Sequence, residues 1–183
     1  MWNFPAHMRF VLVGCSSAER NKAMDAIVYE SNTGFTERYA RLLSEKLGKP
    51  AYTLKESAAR LEKGSEVIYL GWVMANQVCG LKKAARRLNI KAAGAVGLFP
   101  NTEANTNILI AKNKPDFPLF YLRGGLDYSK LKGIKKKLLL MIRDNMVREN
   151  KPENSELVEV LTNGADFVTE ENLTSLLAFA LML

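Results

Sequence analysis

Histidine and cysteine are scarce in this chain. Its 183 residues include one histidine, His7, and two cysteines, Cys15 and Cys79. They share no metal-ligand spacing, which argues against a zinc site. The only histidine lies near the terminus, so no Cys-His nucleophile pair is expected. Unpatterned cysteines suit a reducing cytoplasm. No apolar run approaches the ~20 residues that span a bilayer. Six prolines and 12 glycines are ordinary numbers, so neither a collagenous nor a low-complexity class is indicated. No internal repeat is present.

The first residues are atypical. Leu12-Val13-Gly14-Cys15 looks like a lipoprotein cleavage box. The apolar run before it, Phe10 to Val13, is only four residues long. An export signal wants ~7–15. Residues 1–23 therefore read as an N-terminal extension, or as the product of an upstream translation start. The domain begins near Met24 and runs to the last residue.

What is present in quantity is apolar residue and positive charge. The chain is 48% hydrophobic and 25% charged, which suits one globular domain. The net charge is +7, and it is unevenly placed. Residues 123–151 hold nine Lys or Arg against Asp127, Asp144 and Glu149. A local block of this kind is not the footprint of a nucleic-acid binder.

Short apolar runs alternate with amphipathic ones. Residues 25–30, 51–54, 66–72, 93–99 and 118–122 read as strands. Residues 34–47, 57–63, 81–88 and 106–112 read as helices. Residues 131–147 read as one long basic helix with an apolar stripe of Leu131, Ile134, Leu138, Ile142 and Met146. A last helix is expected over 171–181. This rhythm predicts an α/β fold with a parallel sheet and right-handed crossovers.

The loop after the first strand is Ser31-Asn32-Thr33-Gly34-Phe35-Thr36. The first amides of a helix lack partners within it, and with the helix dipole they attract anions. The three hydroxyls add donors, and Gly34 permits tight curvature. The loop has no lysine, so it is not a Walker-type loop. The plainer alternative is an ordinary capped turn, since Ser and Thr favour helix starts.

The pattern Ser-x-Thr-Gly-x-Thr after a first strand resembles the phosphate loop of the flavodoxin family. That resemblance implies a three-layer α/β/α fold with a five-stranded parallel sheet of order 2-1-3-4-5. It implies FMN as cofactor, with residues 31–36 on its phosphate. It places the flavin ring between two further loops. These are the one containing Trp72, Val73, Met74, Ala75 and Asn76, and the one containing Phe99, Pro100, Asn101 and Thr102. Trp72 would stack on the ring; the alternative is that Trp72 and Phe99 are core aromatics.

The basic stretch, about residues 123–155, falls between the fifth strand and the last helix. Its position resembles the insert of the menaquinone-dependent protoporphyrinogen oxidase branch of that superfamily. The Arg-Gly-Gly-Leu-Asp-Tyr run over 123–128 is also similar to flavodoxin-domain proteins of bacteria. The resemblance implies an FMN-dependent oxidoreductase passing electrons from a donor such as a porphyrinogen to a quinone. A non-enzymatic electron carrier and an FMN-binding regulatory module remain the alternatives. The basic helix admits three readings: a solvated face, a site for an acidic partner, or a peripheral contact of residues 130–148 with the inner membrane face.

Overall fold

In a computed structural model of the chain, residues 24–131 and 133–183 are described. The expected extension over 1–23, with His7 and Cys15, lies outside the described residues, as does Lys132. The elements, in order, are β1 (Ala26–Glu30), α1 (Phe35–Leu47), β2 (Ala51–Thr53), α2 (Ser57–Arg60), β3 (Glu66–Met74), β4 (Gln77–Val78), α3 (Leu81–Ala85) and β5 (Asn89–Gly97). There follow α4 (Glu103–Asn113), β6 (Leu119–Arg123), β7 (Gly125–Leu126), α5 (Gly133–Glu149), α6 (Ser155–Asn163), β8 (Ala165–Asp166) and α7 (Thr174–Ala180).

The five main strands lie parallel in the order β2-β1-β3-β5-β6. Counting only these strands, this is the expected 2-1-3-4-5 order, and it is consistent with a flavodoxin-like fold. The central strands are largely apolar because both sheet faces are covered. Side chains alternate across the sheet. Ile27, Ile68 and Leu70 join Phe35, Tyr39 and Leu43 of α1 and Leu176 of α7 in one core. Val28, Val67 and Tyr69 join Leu81, Ala84 and Leu109 of α3 and α4 in the other.

Register fixes where the sheet ends. Glu30 pairs with Gly71, Gly71 with Ala95 and Ala95 with Tyr121. The carboxyl ends of β1, β3 and β5 therefore form one edge, where ligands of open α/β sheets bind.

Two buried tyrosines anchor this edge. The Tyr69 hydroxyl donates to the Cys79 carbonyl at 2.6 Å, and Tyr121 donates to the Phe99 carbonyl at 2.8 Å. Burial pushes both phenols above the ordinary value of 10.0. Their folded-state proton affinity is raised, so their contribution to stability is complete below the unfolded pKa. It is lost progressively as the pH rises beyond about 10, where the unfolded chain gives up these protons first. Chemical denaturation at stepped alkaline pH should show stability falling from that point. A flat profile would contradict the burial of both phenols.

Several local features differ from the sequence reading. β3 runs on to Met74 and turns back through Ala75 and Asn76 into antiparallel β4. Both turn residues have positive φ, 47° and 59°. That is the geometry of a two-residue hairpin whose twist matches its strands. The long basic helix is α5, but its stripe divides. Leu139, Ile142 and Met146 pack inward with Leu131, whereas Ile134 and Leu138 are exposed. A second helix, α6, follows it, and β7 pairs with β8 in a small antiparallel ladder.

Candidate functional site

The loop between β1 and α1 stands at the centre of the carboxyl edge. Gly34 begins α1 in the left-handed conformation, with φ 98°, and no side chain caps the helix. Glycine adopts this conformation without the Cβ clash that other residues meet. The Ser31 hydroxyl accepts a hydrogen bond from the Gly34 amide at 3.2 Å, which closes the turn. The next amides open a helix and have no acceptor within it. The loop therefore has a backbone geometry that favours anions, reinforced by the dipole of a 13-residue helix.

Beside this loop lies a cleft of about 420 Å³. Asn32, Thr33, Phe35 and Thr36 form one side. Trp72, Val73, Met74, Ala75 and Asn76 form another, and Leu98 and Phe99 a third. Three segments distant in sequence thus meet at one place, because the parallel register brings their strand ends level. The β3–β4 hairpin is fixed from below by Asn113 of α4. Its side chain accepts from the Val78 amide and donates to the Asn76 carbonyl, both at 2.9 Å.

Pro100, Asn101 and Thr102 do not line the cleft. They form the start of α4. Thr102 caps it by accepting from the Asn105 amide at 3.3 Å, and the Pro100 carbonyl accepts from the Asn105 side chain at 2.9 Å. Thr102 of this loop serves as a helix cap, a use its residue type favours.

The fourth side of the cleft comes from the insert. Leu138, Leu139 and Ile142 of α5 and Leu157 and Leu161 of α6 line it. These residues were not among the expected site residues. The spacing of Leu138 and Ile142 signalled an apolar helix face but not the surface it would cover, and α6 was not expected. The cleft is consequently apolar apart from the loop after β1 and Asn76 of the hairpin.

The insert also brings a cation to the anion loop. A Cβ placed on Gly34 would lie 3.7 Å from Lys130 Nζ. Lys130 pairs with Asp127 at 3.4 Å, and Arg38 pairs with Asp166 across the same polar recess. The loop itself has no lysine; a lysine of the insert reaches it. Hydrogen bonds from the Ser129 hydroxyl and amide, with help from Lys130, hold the Asp127 carboxyl below its usual range.

The Arg-Gly-Gly-Leu-Asp-Tyr run fastens the insert. Arg123 pairs with Glu156 of α6, and its guanidinium carbon lies 3.7 Å from the centre of the Phe167 ring. The Tyr128 hydroxyl donates to the Leu161 carbonyl. Asp127 organises the turn that leads into α5.

No protein-family model matches the chain, and no curated protein matches it. Among the described residues, no group of three or more His, Cys, Asp or Glu is placed to hold a metal ion. Nor is any helix there long and apolar enough to cross a membrane. What the arrangement offers is a helix start with free amides beside a largely apolar cleft.

Proposed function

We propose that the chain is an FMN-binding redox protein, with the phosphate at residues 31–36 and the flavin ring in the adjoining cleft. One observation carries this reading. An uncapped helix start with a left-handed glycine opens directly onto an apolar cleft between the ends of β1, β3 and β5. A phosphate ester with a flat, largely apolar body has both halves of that site as partners. A free anion would use only the first half, and an apolar molecule only the second.

The donor set suits this ligand. Loop amides and the hydroxyls of Ser31, Thr33 and Thr36 supply neutral donors, and Lys130 adds one nearby charge. FMN, when bound, supplies the electron chemistry; the chain holds the phosphate, orients the ring and shields it from water. The apolar wall from α5 and α6 favours an enzyme over a simple carrier. It adds a greasy flank on which an apolar donor or acceptor, of the porphyrinogen or quinone class, can lie beside the ring.

Titration of the purified protein with FMN tests the reading. Bands near ~370 and ~450 nm should appear on the protein fraction. Thr33→Val and Thr36→Val should each weaken FMN by about 1–2 kcal/mol, the scale of one hydrogen bond to a charged group. A protein that takes up no FMN would sink the proposal. Unchanged affinity in both variants would remove the phosphate from this loop. Turnover of protoporphyrinogen with a menaquinone analogue would separate the enzyme from a carrier.

A further inference from the structure

One face of α5 is apolar, exposed and flanked by positive charge. Ile134, Leu138 and Met141 are 82%, 45% and 54% exposed. Their spacing, i, i+4 and i+7, puts them in one row along the helix. Lys137 and Arg148 fall on the same face, at i+3 and i+14 from Ile134, and both are exposed. Lys136 belongs elsewhere; its ammonium sits 5.9 Å from the centre of the Tyr128 ring. The two acidic residues of α5 are each paired, Asp144 with Arg143 at 2.6 Å and Glu149 with Lys151 at 3.2 Å.

We propose that this face seats α5 in the surface of an anionic lipid bilayer, lying in the plane of the membrane. An amphipathic helix binds there by burying its apolar row at the headgroup boundary while basic side chains meet lipid phosphates. Charge selects the occupant. Residues 130–148 hold seven Lys or Arg and one acidic residue, Asp144. A second copy of the chain would bring the same positive sign. Residues 1–23 also carry net positive charge, with Arg9, Arg20 and Lys22 against Glu19. An anionic surface is complementary where these are not. Leu138 belongs to both the row and the cleft wall, so a bilayer seated here meets the cleft mouth.

The inference goes beyond FMN binding and does not depend on it. Its test is co-sedimentation of the full chain with phosphatidylglycerol–phosphatidylcholine vesicles and with pure phosphatidylcholine vesicles. The chain should partition onto the anionic vesicles, and much less onto the neutral ones. Partitioning should weaken as salt is raised. Lys137→Gln with Arg148→Gln should lower partitioning by about 25-fold, on the scale of fivefold per basic residue at an anionic surface. Ile134→Asp with Met141→Asp should lower it as well. Lys82→Gln with Lys83→Gln removes the same charge from exposed positions on α3 and should leave binding unchanged. All these positions are exposed, so circular dichroism and melting should match the parent chain. The proposal is overturned if the parent chain binds no anionic vesicle. It is also overturned if the α3 pair costs as much as the α5 pair, or if neither α5 variant alters binding.

Discussion

Gly125→Val is expected to lower the unfolding free energy by about 3 kcal/mol and to weaken FMN binding with it. Gly125 pairs with Asp166 in the β7–β8 ladder. A Cβ there would lie 2.6 Å from the Phe35 ring and would run into the Ala165 carbonyl oxygen. The second obstacle decides the size of the effect. A ring can tilt, but a backbone carbonyl within a ladder moves only if the ladder moves. Phe35 is the first residue of α1 and lines the cleft, so displacing it disturbs the anion loop. Overpacking of this kind costs typically 1–3 kcal/mol, and the valine branches place it at the upper end. Urea unfolding gives the stability change, and FMN titration gives the linked loss. A variant with parental stability would show that the insert is not seated against Phe35 in solution.

The same contact explains what could be seen in the sequence and what could not. Apart from the β3–β4 hairpin, the alternation of strands and helices was readable from residue 25 to residue 122, because the central strands are buried on both faces and α1 and α3 bury one apolar side. A parallel sheet followed from that rhythm, whereas its strand order was implied only by the flavodoxin resemblance. The turn at Gly34 and the start of α1 were readable because helix starts have local rules. The site's fourth wall was not. Its residues are ordinary leucines and isoleucines, and only tertiary packing turns Leu139 and Ile142 inward while Ile134 and Leu138 face out. The β7–β8 ladder has two residues on each side, too few for any period to register. The Arg-Gly-Gly-Leu-Asp-Tyr run was visible as a motif, but its use in clamping the insert rests on residues 33 to 44 positions away, Glu156, Leu161 and Phe167. Lys130 near Gly34 is the same kind of case, a contact across nearly a hundred residues.

Leu161→Ala should loosen the insert by about 3 kcal/mol while leaving the sheet intact. Leu161 is fully buried and sits in a core of its own, with Leu126, Leu131 and Val160. This core is distinct from the two that cover the sheet faces. Truncating a buried leucine costs the lost transfer free energy plus a cavity term, about 3 kcal/mol for a site of this kind. Because the loss falls on one small core, it should appear as local opening of α5 and α6. Amide hydrogen exchange reads this directly. Protected amides of α5 and α6 should exchange roughly 150-fold faster, the rate equivalent of that free energy, while amides of β1 and β3 keep their protection. A speed-up shared by all strands would mean that insert and sheet open as one unit. Since Leu161 also lines the cleft, the local loss carries a functional consequence. The apolar wall would be present for a smaller fraction of the time, and FMN would bind to a protein that must first rebuild it. The fall in affinity should then track the exchange rate of α6, which ties the insert's stability to the site it walls.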